Sequence, residues 1–287
     1  MKLAIHLAKL TWPGGPVAIG KTMGELAAIA DETGVATITL MDHYFQMEHF
    51  GGPFEDMLEG YTSLGFLAGQ TSNVELGLMV TGVTYRHPGL LAKIVTTLDV
   101  LSSGRAMLGL GAAWYEREHL GLGVPYPAVA ERFERLEETI EICNQMWSAN
   151  DGRYDGKHFQ LAETICLPQP LHRPRLMIGG SGEKKTLRMV AQYADACNLF
   201  GTSVADVQHK LDVLAAHCDR LDRDVNQISK TITGAGDPGG DPEKFLAQMQ
   251  EYSKLGIDQV WAVPNPDDPI GWMSRVGEQV LPSLAAI

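Results

Sequence analysis

The stretch TYRHPGLLAKIVTTLDVLSSGRAMLGLGAAWYEREH, residues Thr84–His119, decides the fold of this 287-residue chain. Pro88 suits the first position of a helix, where its missing N–H costs nothing, and apolar residues then recur at helical spacing as far as Leu101. Ser103-Gly104 ends the helix. Arg105–Leu110 then has the composition of a buried strand that runs into a glycine-rich turn. The stretch predicts one unit of an α/β fold.

The rest of the chain repeats this alternation of strand and helix. Eight strands are predicted, at Leu3–Leu7, Thr37–Met41, Glu75–Thr81, Arg105–Leu110, Arg175–Gly179, Ala196–Phe200, Gln227–Thr233 and Gln259–Val263. A helix follows each, at Thr22–Thr33, Phe54–Thr71, Pro88–Ser102, Ala130–Trp147, Glu183–Tyr193, Val204–Leu221, Pro242–Leu255 and Pro269–Ala285. Eight alternations with aliphatic strands predict a parallel (β/α)8 TIM barrel, in a single domain over residues 1–287.

The connections after the first strand and after the fourth helix bear on the choice of fold and on the domain organisation. A doubly wound open sheet is the alternative, but the loop after the first strand, Lys9–Gly15, contains no G-x-G-x-x-G motif. The connection Ala149–Pro174 is long and rich in Gly, Pro and charged residues. We expect it to be an insertion that covers the mouth of the barrel, and not a linker between domains.

Composition narrows the functional class. The net charge of −12 argues against a general nucleic-acid binder. No apolar run is long enough to span a bilayer, and the N-terminal residues are interrupted too soon for a signal peptide, so we expect a cytoplasmic protein without a membrane partner. The four cysteines are far apart and predict buried, reduced thiols. The nine histidines show no ligand spacing, so no metal is expected.

In such a barrel, chemistry collects where the strands end, at the C-terminal face. Asp42-His43 closes the second strand, and an imidazole there can exchange a proton near neutral pH, while Asp42 can orient the ring or hold a cofactor. Gly179-Gly180-Ser181-Gly182 lies between a strand and a helix, where backbone N–H groups bind anions. Lys184 and Lys185 add positive charge. The sequence thus predicts a proton-transfer residue and an anion site at one face.

Other strand ends supply the remaining candidates. Gly111 and Ala112 leave space beside a flat ring, and Phe200-Gly201-Thr202 offers further amide and hydroxyl donors. A partly apolar substrate pocket is expected from three aromatic residues, Trp12, Trp114 and Tyr115. Glu116 and Glu118 are expected in an exposed, charged turn.

These segments resemble the luciferase-like monooxygenase superfamily, and among its members the deazaflavin (coenzyme F-420)-dependent oxidoreductases of actinobacteria. The resemblance rests on Thr84–His119, on Asp42-His43 followed by an aromatic residue, and on the runs VTGVTYRHPGLLAK, ERFERLEETIEICNQMW and YADACNLF. It implies an enzyme that transfers a hydride between coenzyme F-420 and a small organic molecule. It places Asp42 beside the coenzyme ring and His43, as proton donor, near the hydride-carrying carbon.

The resemblance also implies details that the residue pattern alone does not show. A cis peptide bond at Met79–Val80 or Val80–Thr81 would support the coenzyme ring, and Gly179–Gly182 would hold its phosphate. Members are commonly homodimers. Sugar-phosphate dehydrogenases of the superfamily carry a Glu where this chain has Trp114, which argues against sugar-phosphate oxidation.

Three other functions stay open at this point. The first is a flavin mononucleotide (FMN)-dependent monooxygenase with a partner flavin reductase, although flavin-dependent members more often show a Glu-His-His type of sequence than Asp-His. The second is a non-catalytic, cofactor-binding barrel, against which Asp42-His43 argues mildly. The third, a zinc- or nucleophile-dependent hydrolase on the same barrel, lacks its residues.

Overall fold

The computed structural model describes residues 1–287, and its centre is a parallel β-sheet. The strands are β1 (Lys2–Leu7), β2 (Thr37–Leu40), β3 (Glu75–Leu78), β4 (Thr81–Gly82), β5 (Met107–Gly111), β6 (Tyr154–Asp155), β7 (Gln160–Leu161), β8 (Arg175–Gly179), β9 (Ala196–Phe200), β10 (Ser229–Thr233) and β11 (Gln259–Ala262). Neighbours follow the order β3-β2-β1-β11-β10-β9-β8-β5-β4. A parallel bridge between Leu76 and Ala106 joins β3 to β5, so the sheet closes. Since β3 and β4 are two halves of one strand, the predicted barrel is confirmed.

Helices cover the outside of the barrel. They are α1 (Pro16–Thr33), α2 (Gly60–Ala68), α3 (Pro88–Leu101), α4 (Glu116–Leu122), α5 (Val129–Met146), α6 (Thr186–Tyr193), α7 (Val204–Arg220), α8 (Pro242–Ser253), α9 (Pro269–Gln279) and α10 (Leu281–Leu284). None of these helices has the length and apolar character that crossing a membrane requires.

Several predicted helix boundaries are wrong, and local chemistry explains them. The second helix begins at Gly60 and not at Phe54, because the Glu59 carboxylate accepts the first free backbone N–H groups. The predicted last helix is divided into α9 and α10 just before Pro282, which has no N–H to donate. The helix α4, after β5, was not predicted.

Two hydrophobic cores hold the barrel together. The larger lies between the strands and the helices, and the smaller fills the lumen with Ala4, Met107, Met177, Ala196 and Trp261. All four cysteines are free and buried, as predicted. Burial raises the pKa of the Cys143 thiol to about 12, so that thiol is unreactive at neutral pH.

The connection 149–174 runs along the side of the barrel, so the predicted cover over the mouth is wrong. Its hairpin of β6 and β7 lies on α5, where the buried carboxylate of Glu138 accepts backbone N–H bonds from Lys157, His158 and Phe159 at 2.9 to 3.0 Å. Its later part packs on α3, where Asp99 accepts the N–H of Leu171 at 2.7 Å. Phe159 and Cys166 anchor the segment, since both are buried in the larger core, whereas Ile165, Leu167 and Leu171 are exposed.

Replacing Glu138 with Gln should loosen this hairpin. An amide oxygen cannot accept all of these bonds, so buried N–H groups lose partners at a cost of about 1–3 kcal/mol. Hydrogen exchange should accelerate at the amides of residues 157–159, and the urea midpoint of unfolding should fall. Glu163→Gln, an identical change at an exposed position of the same segment, should alter neither. Equal protection in both variants would contradict this role.

Candidate active site

The third strand is interrupted between β3 and β4 by Met79 and Val80, which are joined by a cis peptide bond. The resemblance implies a cis bond either here or at Val80–Thr81, and the structure has it here. Asn198 on β9 donates from its amide to the Met79 sulfur at 3.3 Å, across the lumen. Thr81 is buried and faces the helix layer, with its hydroxyl 2.8 Å from that of Tyr61 on α2. The interruption therefore places Met79 and Val80, and not Thr81, at the barrel mouth.

Glycines on the neighbouring strands make room for Val80. A Cβ atom on Gly111 would lie 2.6 Å from Val80 Cγ2, and one on Gly179 would lie 2.8 Å from Val80 Cγ1. On Gly109 it would lie 2.1 Å from the Leu78 carbonyl oxygen. The space predicted beside Gly111 is thus filled by Val80. Ala112 is partly buried, and its carbonyl accepts from Arg132 Nε at 3.0 Å.

Asp42 is committed to an ion pair. Its carboxylate oxygens lie 2.9 and 2.7 Å from Arg86 Nη1, and it accepts the Gly82 N–H at 2.9 Å. Arg86 also donates to Glu59 at 2.7 Å. Burial alone would lower the pKa of Arg86, but its hydrogen bonds to Asp42 and the charge of Asp42 outweigh burial and raise it. Asp42 therefore ties the second strand to the connection after β4.

His43 lies at the mouth, three residues beyond β2. Its Nδ1 is 2.7 Å from Oε1 of Glu118, and its side chain is 14% exposed. The rings of Trp114 and Tyr115 meet it edge-on, with centroids 5.6 and 5.8 Å away. The structure thus brings together His43 and two of the three predicted substrate-pocket residues. Nδ1 is occupied, whereas Nε2 has no hydrogen-bond partner.

Glu118 is fully buried, so its predicted place in an exposed turn is wrong. It lies on α4, and its Oε2 accepts the backbone N–H groups of Tyr44 and Phe45 at 2.8 and 3.1 Å. Its Oε1 accepts the Tyr85 hydroxyl as well as the His43 ring. Burial alone would raise the pKa of Glu118, but hydrogen bonds from His43, Tyr85 and Tyr44 lower it below its ordinary value. Glu118 is therefore an anion at neutral pH.

A second histidine, His6 on β1, lies in the lumen. Its Nδ1 is 3.0 Å from the Thr39 hydroxyl, and the ring is buried. Burial, and then the electrostatic effect of the neighbouring His43 ring, lower the pKa of His6 to about 4. His6 is neutral near pH 7 and fills the lumen without exchanging protons there.

The glycine-rich connection after β8 has the features of an anion site. Gly180 has a φ of 113°, and the Ser181 hydroxyl is buried without a hydrogen-bond partner. The helix α6 begins at Thr186, later than predicted, so Lys184 and Lys185 lie in the connection itself, where both are exposed. The Lys185 ammonium lies 5.1 Å from the ring centroid of Phe133 on α5. An orphaned hydroxyl in a connection that also carries two exposed lysines fits a phosphate.

The other predicted residues do not form a shared pocket wall. Thr202 donates its hydroxyl to Asp206 at 2.6 Å and the Gly201 N–H bonds to the Thr233 carbonyl at 2.7 Å, while Phe200 is exposed. Trp12 is only 4% exposed and belongs to the larger core, although its Nε1 has no partner. Trp12 is therefore not part of an open pocket wall.

A model of the luciferase-like monooxygenase family matches residues 11–253. The chain belongs to this family. An F-420-dependent glucose-6-phosphate dehydrogenase of Kineococcus radiotolerans is 29% identical over 263 residues, which are 90% of this chain and 75% of the relative. The protein of the same name from Microbacterium testaceum is 32% identical over 172 residues, which are 60% of this chain and only 50% of that relative.

Solved structures confirm the fold of this luciferase-like family member. A coenzyme F-420-dependent tetrahydromethanopterin reductase from Methanopyrus kandleri superposes with a TM-score of 0.81 at 16% identity, over 99% of both chains. A long-chain alkane monooxygenase gives 0.81 at 15% identity, over 100% of this chain and 91% of that chain. At these identities the likeness establishes the shared barrel alone.

Sequence reasoning missed two residues that organise the site of this family member. Arg86 follows the predicted third strand, and Glu118 is 75 residues from the histidine that it contacts. The alternation in Glu116-Arg117-Glu118-His119 gives no sign that only its last two members are buried. The structure has no group of three or more His, Cys, Asp or Glu residues that could hold a metal ion.

Replacing Gly111 with Ala should destabilise the protein by about 1–3 kcal/mol, because the new methyl group overlaps Val80. Adding Val80→Ala should recover most of that loss, since only Val80 atoms lie within 4 Å of the new Cβ. Urea unfolding of the two single variants and the double variant measures the coupling. Gly65→Ala, on the exposed face of α2 with nothing within 4 Å, should not destabilise. Additive effects at Gly111 and Val80 would refute the packing argument.

Proposed function

We propose that this protein is a coenzyme F-420-dependent oxidoreductase that transfers a hydride between the deazaflavin and a small, partly apolar organic substrate. The observation that carries the proposal is His43, whose Nδ1 is held by buried Glu118 and whose Nε2 is free at the mouth. It lies next to the Met79–Val80 interruption, because β2 and β3 pair at Leu40 and Leu78. The names of the curated relatives, F-420-dependent dehydrogenases, support the choice of coenzyme.

The residues at the mouth fit such a coenzyme in two places. Gly180, the orphaned Ser181 hydroxyl and the exposed ammonium groups of Lys184 and Lys185 would bind its phosphate. Val80 would support its ring, on a base made rigid by the packing against Gly111 and Gly179. When bound, the deazaflavin supplies or accepts the hydride. His43 would supply or accept the accompanying proton at Nε2.

Features of the mouth favour a partly apolar substrate over a sugar phosphate. Trp114, 57% exposed, offers aromatic surface beside His43, whereas Tyr115, which also meets the His43 ring edge-on, is only 6% exposed. The connections after β9, β10 and β11 contain no Lys or Arg but four acidic residues before their helices, Asp237, Asp241, Asp267 and Asp268. These charges repel an anionic substrate on that side. Of the four, Asp268 is paired with Arg275 of α9 at 3.1 Å.

Titration of the coenzyme-free protein with coenzyme F-420 and with FMN, followed by fluorescence, tests the proposal. We expect saturable binding of the deazaflavin and weak binding of FMN. Ser181→Ala should weaken deazaflavin binding about tenfold or more, because a hydrogen bond to a charged phosphate is lost, and exposed Ser72→Ala should not. Anaerobic turnover should then favour enones, aldehydes or alcohols over glucose 6-phosphate. A preference for FMN with oxygen-dependent turnover would replace the proposal with a monooxygenase, and binding of neither would refute both.

We also propose that the protein is a homodimer, while its cytoplasmic location stays a prediction. Leu90 and Leu101 on α3 are 64% and 69% exposed. Leu167 is 72% exposed and lies beside α3, because its carbonyl accepts a hydrogen bond from Lys93 of that helix. Unpaired apolar surface of this kind is typical of interfaces. Light scattering at micromolar concentration should give twice the chain mass of 31.3 kDa, and Leu90→Glu should halve it. A wild-type mass of one chain would contradict the dimer.

A further inference from the structure

We infer that Glu118 is a positioning residue for the chemistry of His43. Its carboxylate fixes the tautomer and orientation that keep Nε2 at the mouth, and it balances the charge of the ring when Nε2 carries a proton. This inference rests on the proposed function, in which His43 exchanges a proton with the substrate.

The two carboxylate oxygens have separate partners. Oε2 accepts the backbone N–H groups of Tyr44 and Phe45, which fixes the chain directly after His43. Oε1 accepts the Tyr85 hydroxyl and faces Nδ1 of His43 at 2.7 Å. Because a carboxylate oxygen only accepts, the proton on this contact belongs to Nδ1 when Glu118 is ionised. The proton exchanged with a substrate is therefore the one on Nε2.

Glu118 also stabilises the protonated form of the His43 ring, because the two charges balance each other. A buried carboxylate requires a compensating positive charge, yet no Lys or Arg forms an ion pair with Glu118, whose single ion-pair partner is His43. The nearby guanidinium of Arg86 is paired with Asp42 and Glu59. Protonation of His43 therefore completes an ion pair that the fold otherwise leaves without its cation.

The remaining titratable groups around His43 do not replace Glu118. His6 is neutral near pH 7, and the Asp42 charge is matched by that of Arg86. Burial and then the hydrogen bond to Glu118 raise the pKa of Tyr85, so this phenol stays neutral. Burial likewise raises the pKa values of Tyr44 and Tyr115. Glu118 is the one unbalanced anion in contact with the ring.

The proton step follows from this arrangement. In reduction of a carbonyl, a hydride adds to the carbon while the Nε2–H bond of the imidazolium breaks and its proton goes to the substrate oxygen. His43 is left neutral, with Nδ1–H still donated to the Glu118 anion, and solvent at the mouth returns the proton to Nε2. Oxidation of an alcohol runs through the same states in reverse, so Glu118 keeps its charge throughout.

Glu118→Gln tests the inference without the coenzyme. The amide oxygen can still accept from Tyr44 and Phe45, and the amide nitrogen can donate to Nδ1, so the backbone contacts persist while the negative charge and the acceptor for the Tyr85 hydroxyl are lost. NMR titration of the His43 ring in the purified protein should show a proton affinity at least about tenfold lower than in the wild type. Glu116→Gln, the same change at an exposed position of α4, should leave it unchanged. An unaltered His43 titration in Glu118→Gln overturns the inference.

Tyr85→Phe is a second variant, and it should change the proton affinity of His43 in the opposite direction. It removes a hydrogen bond that disperses the charge of Glu118, so the proton affinity of His43 should rise. If Glu118→Gln does not fold, this variant decides, and a fall or no change overturns the inference.

Measuring enzyme turnover as well as the His43 titration distinguishes a failure of the role of Glu118 from a failure of the proposed function. With coenzyme F-420, Glu118→Gln should lose on the order of 10²-fold in kcat, with unchanged coenzyme affinity and with its pH profile displaced to lower pH. A wild-type protein that lacks F-420 turnover would refute the proposed function but leave the NMR result standing. Loss of coenzyme affinity together with an unchanged His43 titration would show a purely structural role, and would overturn the inference.

Discussion

A single buried carboxylate organises the mouth of this barrel. Glu118 joins three connections that are distant in the chain, because its oxygens contact the residues after β2, the residues after β4 and its own short helix after β5. An anion placed there requires the donors around it, since burying it unpaired would cost several kcal/mol. The conformation of the second connection, the direction of the His43 ring and the place of Tyr85 all follow from satisfying that charge.

Other charged residues are also distributed unevenly over the connections at the mouth. The chain has a net charge of −12, yet Arg86 forms ion pairs with both Asp42 and Glu59, and the connection after β8 carries two exposed lysines. The connections after β10 and β11, two and three strands further round the sheet, contain four aspartates and no Lys or Arg. The charges at the strand ends are therefore unevenly distributed, with lysines after β8 and aspartates after β10 and β11. Such a gradient can orient a ligand that has one charged end and one neutral end.

How far the sequence predicts the molecule depends on the range of the interactions. The eight strands, the break near Met79 and the place of His43 at the end of the second strand follow from local pattern and from the family resemblance, and the structure agrees. The burial of Glu118 and the Asp42–Arg86 pair depend on contacts between residues 75 and 44 positions apart, which no local pattern encodes. The segment 149–174 was misplaced for the same reason, because its composition suggests a connection but not the helices on which it packs.

The packing around Val80 constrains how this site can change in evolution. At Gly111 every atom within 4 Å of a new Cβ belongs to Val80, and at Gly179 the three nearest do, whereas at Gly109 the nearest atom is a backbone oxygen of Leu78. A smaller residue at position 80 is therefore a permissive substitution for the first two glycines and not for the third. New side chains can enter the mouth from β5 or β8 only after position 80 has changed, so the order of mutations, and not only their identity, determines which pockets this barrel can acquire.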